Sequence, residues 1–119
     1  MQVEMQWDID PETQAERFER FAGELPDHLE AAVDEIVLRV EADAARNVNV
    51  DTGRLRASIE SVVERGAAGV ITGKVGSNVD YAIWQEIDWP YLRPAIEANR
   101  DVMIDRIEQA VGEAWEAAA

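Results

Sequence analysis

Asp51-Thr52-Gly53-Arg54-Leu55-Arg56-Ala57-Ser58-Ile59 divides the chain into two kinds of pattern. Asp-Thr-Gly is turn chemistry: a short acidic side chain bonds nearby amides, and glycine turns the backbone at no steric cost. Alternation begins at once, with Leu55, Ala57, Ile59, Ser61 and Val63 on one face. Arg54, Arg56, Ser58, Glu60, Val62 and Glu64 fall on the other, which predicts a strand over about 54–65. Gly66-Ala67-Ala68-Gly69 is the turn, and Val70–Gly76 is the returning strand of a hairpin.

Helical patterns lie on both sides of this hairpin. Upstream, Leu29, Val33, Ile36, Val37, Val40 and Ala44 form a stripe at helical spacing, with Glu30, Asp34, Glu35, Glu41 and Asp43 opposite. An earlier helical segment opens at Asp10-Pro11-Glu12-Thr13, with Asp as N-cap and Pro in the first turn. Gly23 and Pro26 predict a break between the two, since proline lacks an amide hydrogen. Val3, Met5, Trp7 and Ile9 alternate with polar residues as a short strand. Downstream, Ser77-Asn78-Val79-Asp80 is a turn, followed by a short strand or helical turn through Tyr81–Trp84. A last helix starts at Asp88-Trp89-Pro90-Tyr91 and repeats through Leu92, Ile96, Asn99, Met103, Ile107, Ala110 and Ala114. The fold class is α+β: a small antiparallel sheet packed against a long helix in the N-terminal half and a long C-terminal helix. The 119 residues read as one domain.

Charge is the strongest global signal. The chain carries 25 acidic and 11 basic residues, a net charge of −14. Such a surface repels phosphates and disfavours nucleic-acid binding. Ten of the basic residues are Arg and one is Lys, Lys74. Carboxylate-rich, lysine-poor surfaces resemble those of proteins from salt-loving organisms, where screening relieves self-repulsion. Cysteine is absent, so disulfides and thiolate metal sites are excluded. No apolar run reaches the ~20 residues of a membrane helix. The N-terminus lacks the basic and apolar regions of a signal peptide, which points to synthesis in the cytoplasm.

Catalytic chemistry finds no candidate. Gly69–Lys74 imitates a phosphate loop, but Ala68 and Val75 stand where that motif needs Gly and Ser or Thr. His28 is a lone histidine, expected to be exposed, with no Cys or second His to share a metal. Ser58 and Ser61 lack a nucleophile elbow. Asp101 and Asp105 read as a solvated acidic face beside Arg106. We therefore expect a non-enzyme without cofactor or metal. The aromatics Trp84, Trp89 and Tyr91 suit either interface anchors or core plugs. Trp84 is the better core candidate, and Trp89 and Tyr91 are candidate interface residues. Trp115 is a final core plug or a partner contact.

Three segments in order resemble the head–tail joining proteins of tailed phages, the neck or tail-completion family. They are Val50–Ile59, then Val75-Gly76-Ser77-Asn78-Val79-Asp80-Tyr81-Ala82, then Tyr91-Leu92-Arg93-Pro94-Ala95-Ile96. Family members carry V-D-T-G-x-L-R-x-S-I, a hairpin, V-G-x-x-x-x-Y-A-x-x-x-E, and P-F-L-R-P-A opening a long helix. Residue by residue, the resemblance selects Asp51, Thr52, Gly53, Arg54, Leu55 and Arg56, then Gly76, Tyr81, Ala82 and Glu86, then Leu92, Arg93 and Pro94. It implies that these positions mainly define the fold. It also implies a virion protein, assembled in the host cytoplasm as a ring of six copies between portal-side connector proteins and the tail tube. The segment Glu86-Ile87-Asp88-Trp89-Pro90 departs from the family, whose members usually have Phe-Gly-Thr and a mobile loop after the Glu. Arg54 and Arg56 are further interface candidates, able to meet a neighbour's carboxylates or their own Glu60 and Glu64. The alternative to a virion role is a small acidic regulatory or binding protein.

Overall fold

The computed structural model describes residues 10–48, 53–79 and 82–119. The expected strand at Val3–Ile9 lies outside the described residues, as do Asp51, Thr52 and Tyr81 of the signatures. The order of elements is α1 (Pro11–Asn47), α2 (Gly53–Ser58), β1 (Glu60–Arg65), β2 (Ile71–Gly76), α3 (Ala82–Asp88), α4 (Leu92–Ala98) and α5 (Arg100–Ala117). It is an α+β architecture in which the two-stranded antiparallel sheet and helices α2, α4 and α5 pack on α1.

The break expected at Gly23 and Pro26 does not occur, because α1 runs through Pro26 for 37 residues, about 55 Å of helix. Tertiary contacts override the local penalty. Antiparallel α5 bridges the site, with His28 Nδ1 facing Glu113 Oε2 at 3.8 Å and Arg106 Nε donating to Glu35 Oε2 at 2.5 Å. Beyond Pro26, the Arg17 and Arg20 guanidinia donate to Trp115 O and Ala118 O at 2.9 and 2.8 Å. These carbonyls belong to the negative end of α5, where cations are stabilising. Trp115 is a plug: it packs against Phe18 and Phe21 with centroids 5.3 and 5.4 Å apart, and Arg17 lies over its ring. Asp10 precedes Pro11 as expected, but its carboxylate accepts from Thr13 Oγ1.

The expected strand from Arg54 is also corrected: Gly53–Ser58 is the helix α2, and the hairpin spans 60–76 instead of about 54–77. Leu55 and Ile59 are both buried. A four-residue spacing satisfies a helical turn as well as a strand, so alternation could not separate the two. Ser58 Oγ donates to Leu55 O at 2.7 Å, the local bond through which serine favours a tight turn.

In the hairpin Glu60 pairs with Gly76, Val63 with Gly73 and Arg65 with Ile71. Ser61, Val63, Ile71, Gly73 and Val75 share one face. That face meets α1 closely at Gly73, where a Cβ would sit 2.5 Å from Val37 Cγ1 and 2.8 Å from Val33 Cγ1. Only glycine allows β2 to approach that far. Ser61 Oγ donates to Glu41 Oε2 at 2.8 Å, and Arg65 bridges to Asp27 and Glu30 of α1. Its guanidinium pKa is raised by the hydrogen bond to Asp27 and the charge of Glu30. Ala68 and Gly69 turn the hairpin with φ of 58° and 75°. The Gly69–Lys74 stretch is therefore turn and strand, as its failed loop motif requires.

The last helix divides at Asn99 into α4 and α5. Asn99 is buried and its Nδ2 donates to both Ala95 O and Asp43 Oδ2. The amide thus ties the bend to α1, where a continuous helix would carry the chain off it. His28 is likewise not exposed as expected: it is partly buried between Glu24 and Glu113.

Candidate functional site

Described residues of all three signatures meet at the C-terminal end of α1. The last carbonyls of a helix lack intrahelical donors and need partners from elsewhere. Trp89 Nε1 donates to Asn47 O at 3.1 Å, and Arg56 Nη2 donates to Val48 O at 3.2 Å. Asn47 Nδ2 in turn donates to Tyr91 O at 3.2 Å. Arg56 brings a positive charge to the negative helix end, a favourable placement. Arg56 and Trp89, both interface candidates from the sequence, are thereby also anchors of α1.

Around this junction the first signature supplies the core. Leu55 is fully buried and packs with Ile36, Val40, Ala44, Ile59, Ala82 and Ala95. Gly53 and Arg54 are exposed on α2, and Arg54 projects from a helix where the sequence predicted a strand. Glu64, offered as a pairing partner for the arginines, meets Lys74 at 3.1 Å across the hairpin. Gly76 ends β2, and Ser77 Oγ lies 2.5 Å from Ser58 Oγ, linking the second signature to the first.

Glu86 links the second signature to the third. Its Oε1 accepts from the amides of Tyr91 and Leu92 at 3.4 and 2.8 Å, and its Oε2 accepts from Arg93 at 3.3 Å. These are the unpaired amides that open α4, so the carboxylate acts as an N-terminal cap reached from a preceding helix. The short connection Ile87–Pro90 is what brings the carboxylate within reach. Leu92 is half-buried, Arg93 and Pro94 are exposed in the first turn of α4, and Ala82 is buried.

Two aromatic assignments reverse. Tyr91, an interface candidate, is only 3% exposed and belongs to the core. Burial and the nearby Glu86 carboxylate raise its phenol pKa. Trp84, the core candidate, is 65% exposed. The helix turns Ala82 and Glu86 inward, which leaves Ile83, Trp84 and Ile87 outward. Sequence reasoning missed the bonds of Asn47 and Arg17 to distant carbonyls and that of Asn99 to the Asp43 carboxylate, which no local pattern signals.

Among the described residues no helix is long and apolar enough to cross a membrane, and no group of three or more His, Cys, Asp or Glu is placed to hold a metal ion. The described chemistry is that of a fold-defining junction with an uncharged aromatic face beside it.

A family model described as "Bacteriophage HK97-gp10, putative tail-component" matches residues 13–87. That range contains most of α1 through most of α3, and so includes Leu55, Arg56, the hairpin and Glu86, but not Trp89 or Tyr91 of the junction. It begins further upstream than the quoted signatures and stops before the Leu92-Arg93-Pro94 segment. Searches of curated proteins and of solved structures returned no match. The chain belongs to the HK97-gp10-like family of bacteriophage tail components, and is a structural protein of a tailed-phage virion.

Proposed function

We propose that this chain is a non-enzymatic neck protein that assembles as a ring of six copies, joining the portal-side connector to the tail tube. Its partners are then its own copies and the connector and tail proteins above and below. The observation that carries this reading is shape. The chain measures 66 × 39 × 17 Å with a radius of gyration of 20.1 Å, against about 13–14 Å for a compact domain of this length. Its 8475 Å² of solvent-accessible surface exceeds the roughly 6,500 Å² typical of a compact monomer of this mass. Leu55, Arg56, Ala82 and Glu86 of the motifs are engaged within the fold, while large apolar side chains remain outside. That combination suits a subunit completed by neighbours.

The acidic surface supports a second element of the proposal, a host with a salt-rich cytoplasm. Among the described residues ion pairs are few beside the carboxylates of α1 and α5. Unfolding followed in rising salt tests it, with a gain in stability expected up to molar concentrations.

The neck assignment is tested by deleting the gene from the phage and imaging the lysate by electron microscopy. Filled heads and separate tails are expected. Joined, infectious particles would overturn the connector role.

A further inference from the structure

A cluster of large exposed apolar side chains is unusual on a chain of net charge −14. On α3, Ile83, Trp84 and Ile87 share the side opposite Ala82 and are 65, 65 and 64% exposed. Trp89 follows, 56% exposed. Side chains this large leave on the order of 500 Å² of apolar surface in water, at the upper end for a lone monomer.

A second uncharged surface lies on other elements. Helices α1, α4 and α5 and strand β2 form an open groove of about 260 Å³, whose lining includes Val33, Val37, Val40, Gly73, Ile96 and Met103. Among the described residues, no charged residue and no α3 residue lines it. An apolar cavity of roughly 150 Å³ holds a benzene ring, so an indole fits here.

We infer that the α3 face of one copy seats in the α1–β2 groove of the next, with Trp84 as the anchor. This rests on the ring reading and names its interface. The occupant is a second copy because both halves of the contact belong to one chain and both are apolar among the described residues. Two molecules of net charge −14 repel over most of their surface, and the neutral faces are where approach costs least. The area also suffices: the α3 face supplies more than half of the ~800 Å² that each partner buries in a standard interface. The two faces differ, so the contact is head-to-tail. A joined pair keeps one free face and one free groove, the condition for adding further copies and closing a ring.

The test uses the full chain and two variants, Trp84→Glu on the face and Ile96→Glu in the groove, followed by sedimentation velocity and electron microscopy in dilute buffer and in molar salt. Both sites are exposed, so circular dichroism should match wild type; Ile83→Lys replaces Trp84→Glu if it does not. Wild type is expected to self-associate, more strongly in salt, and each variant to associate at least tenfold more weakly. Mixing the two variants restores one intact contact, because the face of Ile96→Glu meets the groove of Trp84→Glu. A discrete heterodimer is therefore expected. Rings formed equally by wild type and Trp84→Glu overturn this contact and leave the ring standing. Monomeric variants that stay monomeric when mixed overturn the head-to-tail seating. Wild type that remains monomeric in both buffers overturns the contact and the ring together.

Discussion

Helix α1 passes through two regions held together by different physics. At its C-terminal end, Leu55, Ile59, Val79, Tyr91 and Ala95 close around Ile36, Val40 and Ala44. Loop donors there satisfy the final carbonyls of the helix. At the other end the helical partner of α1 among the described residues is α5, where Ala110, Ala114 and Ala118 are buried. The larger contacts of that arm are the Trp115 cluster and the Arg17 and Arg20 clamps. The junction is specified by distant segments that converge, and the arm by charge and small residues along two helices. Stability should be unequal in the same way: alanine seams bury little area, so the arm opens at lower free energy than the junction.

Substitutions at each end can break this contrast. Leu55→Ala removes the one large side chain that is fully buried among the described residues, and about 3 kcal/mol should be lost. Denaturant unfolding should show the whole chain melting earlier; loss confined to the arm would refute the junction's primacy. Trp115→Ala should cost about 2 kcal/mol, since the ring is only partly buried. Here hydrogen exchange should quicken in residues 11–25 and 107–119 while the amides of β1 and β2 keep their protection. Uniform acceleration would mean that arm and junction form one cooperative unit.

Glu86→Ala should cost about 1–2 kcal/mol, the price of a lost helix cap. Exchange at Leu92 and Arg93 should rise first, and Glu86→Gln should recover part of the loss because its carbonyl still accepts. The smallest effect concerns pH. The Tyr91 phenol is raised in the folded chain, so the unfolded chain ionises first as pH climbs past about 10. The stability Tyr91 contributes is fully present below that pH and is lost above it. Tyr91→Phe should flatten this alkaline decline when melting is followed against pH; an unchanged slope would assign it to other groups.

How much of this was legible follows from the range of each interaction. The helical stripe from Leu29 to Ala44 and the strands around Gly66–Gly69 repeat locally, and both formed. Leu55 and Ile59 fit two periods at once, so burial was readable there and helix was not. Pro26 signals a break in isolation, yet α5 supplies contacts from residues over eighty positions away in sequence. Trp84 and Tyr91 look alike as bulky aromatics, and only the inward turn of Ala82 and Glu86 decides which is covered. Glu86 belonged to a recognisable motif, but its bond to α4 depends on the four-residue connection folding back. Arg54, Arg56 and Asp51-Thr52-Gly53 drew most attention in the sequence. Among the described residues, Arg56 proved to close a helix end.

The uninterrupted course of α1 through Pro26 has a mechanical consequence. Proline deletes a hydrogen bond from the ladder at that turn, so bending stiffness there is borrowed from α5. With α5 seated, the pair is one rigid strut about 55 Å long. With its final turns lifted, the same chain becomes two shorter rods joined at a pliable point, and the first sixteen residues of α1 can swing. A pull on α5 is therefore a way to change the reach of this protein without unfolding the junction that holds its shape.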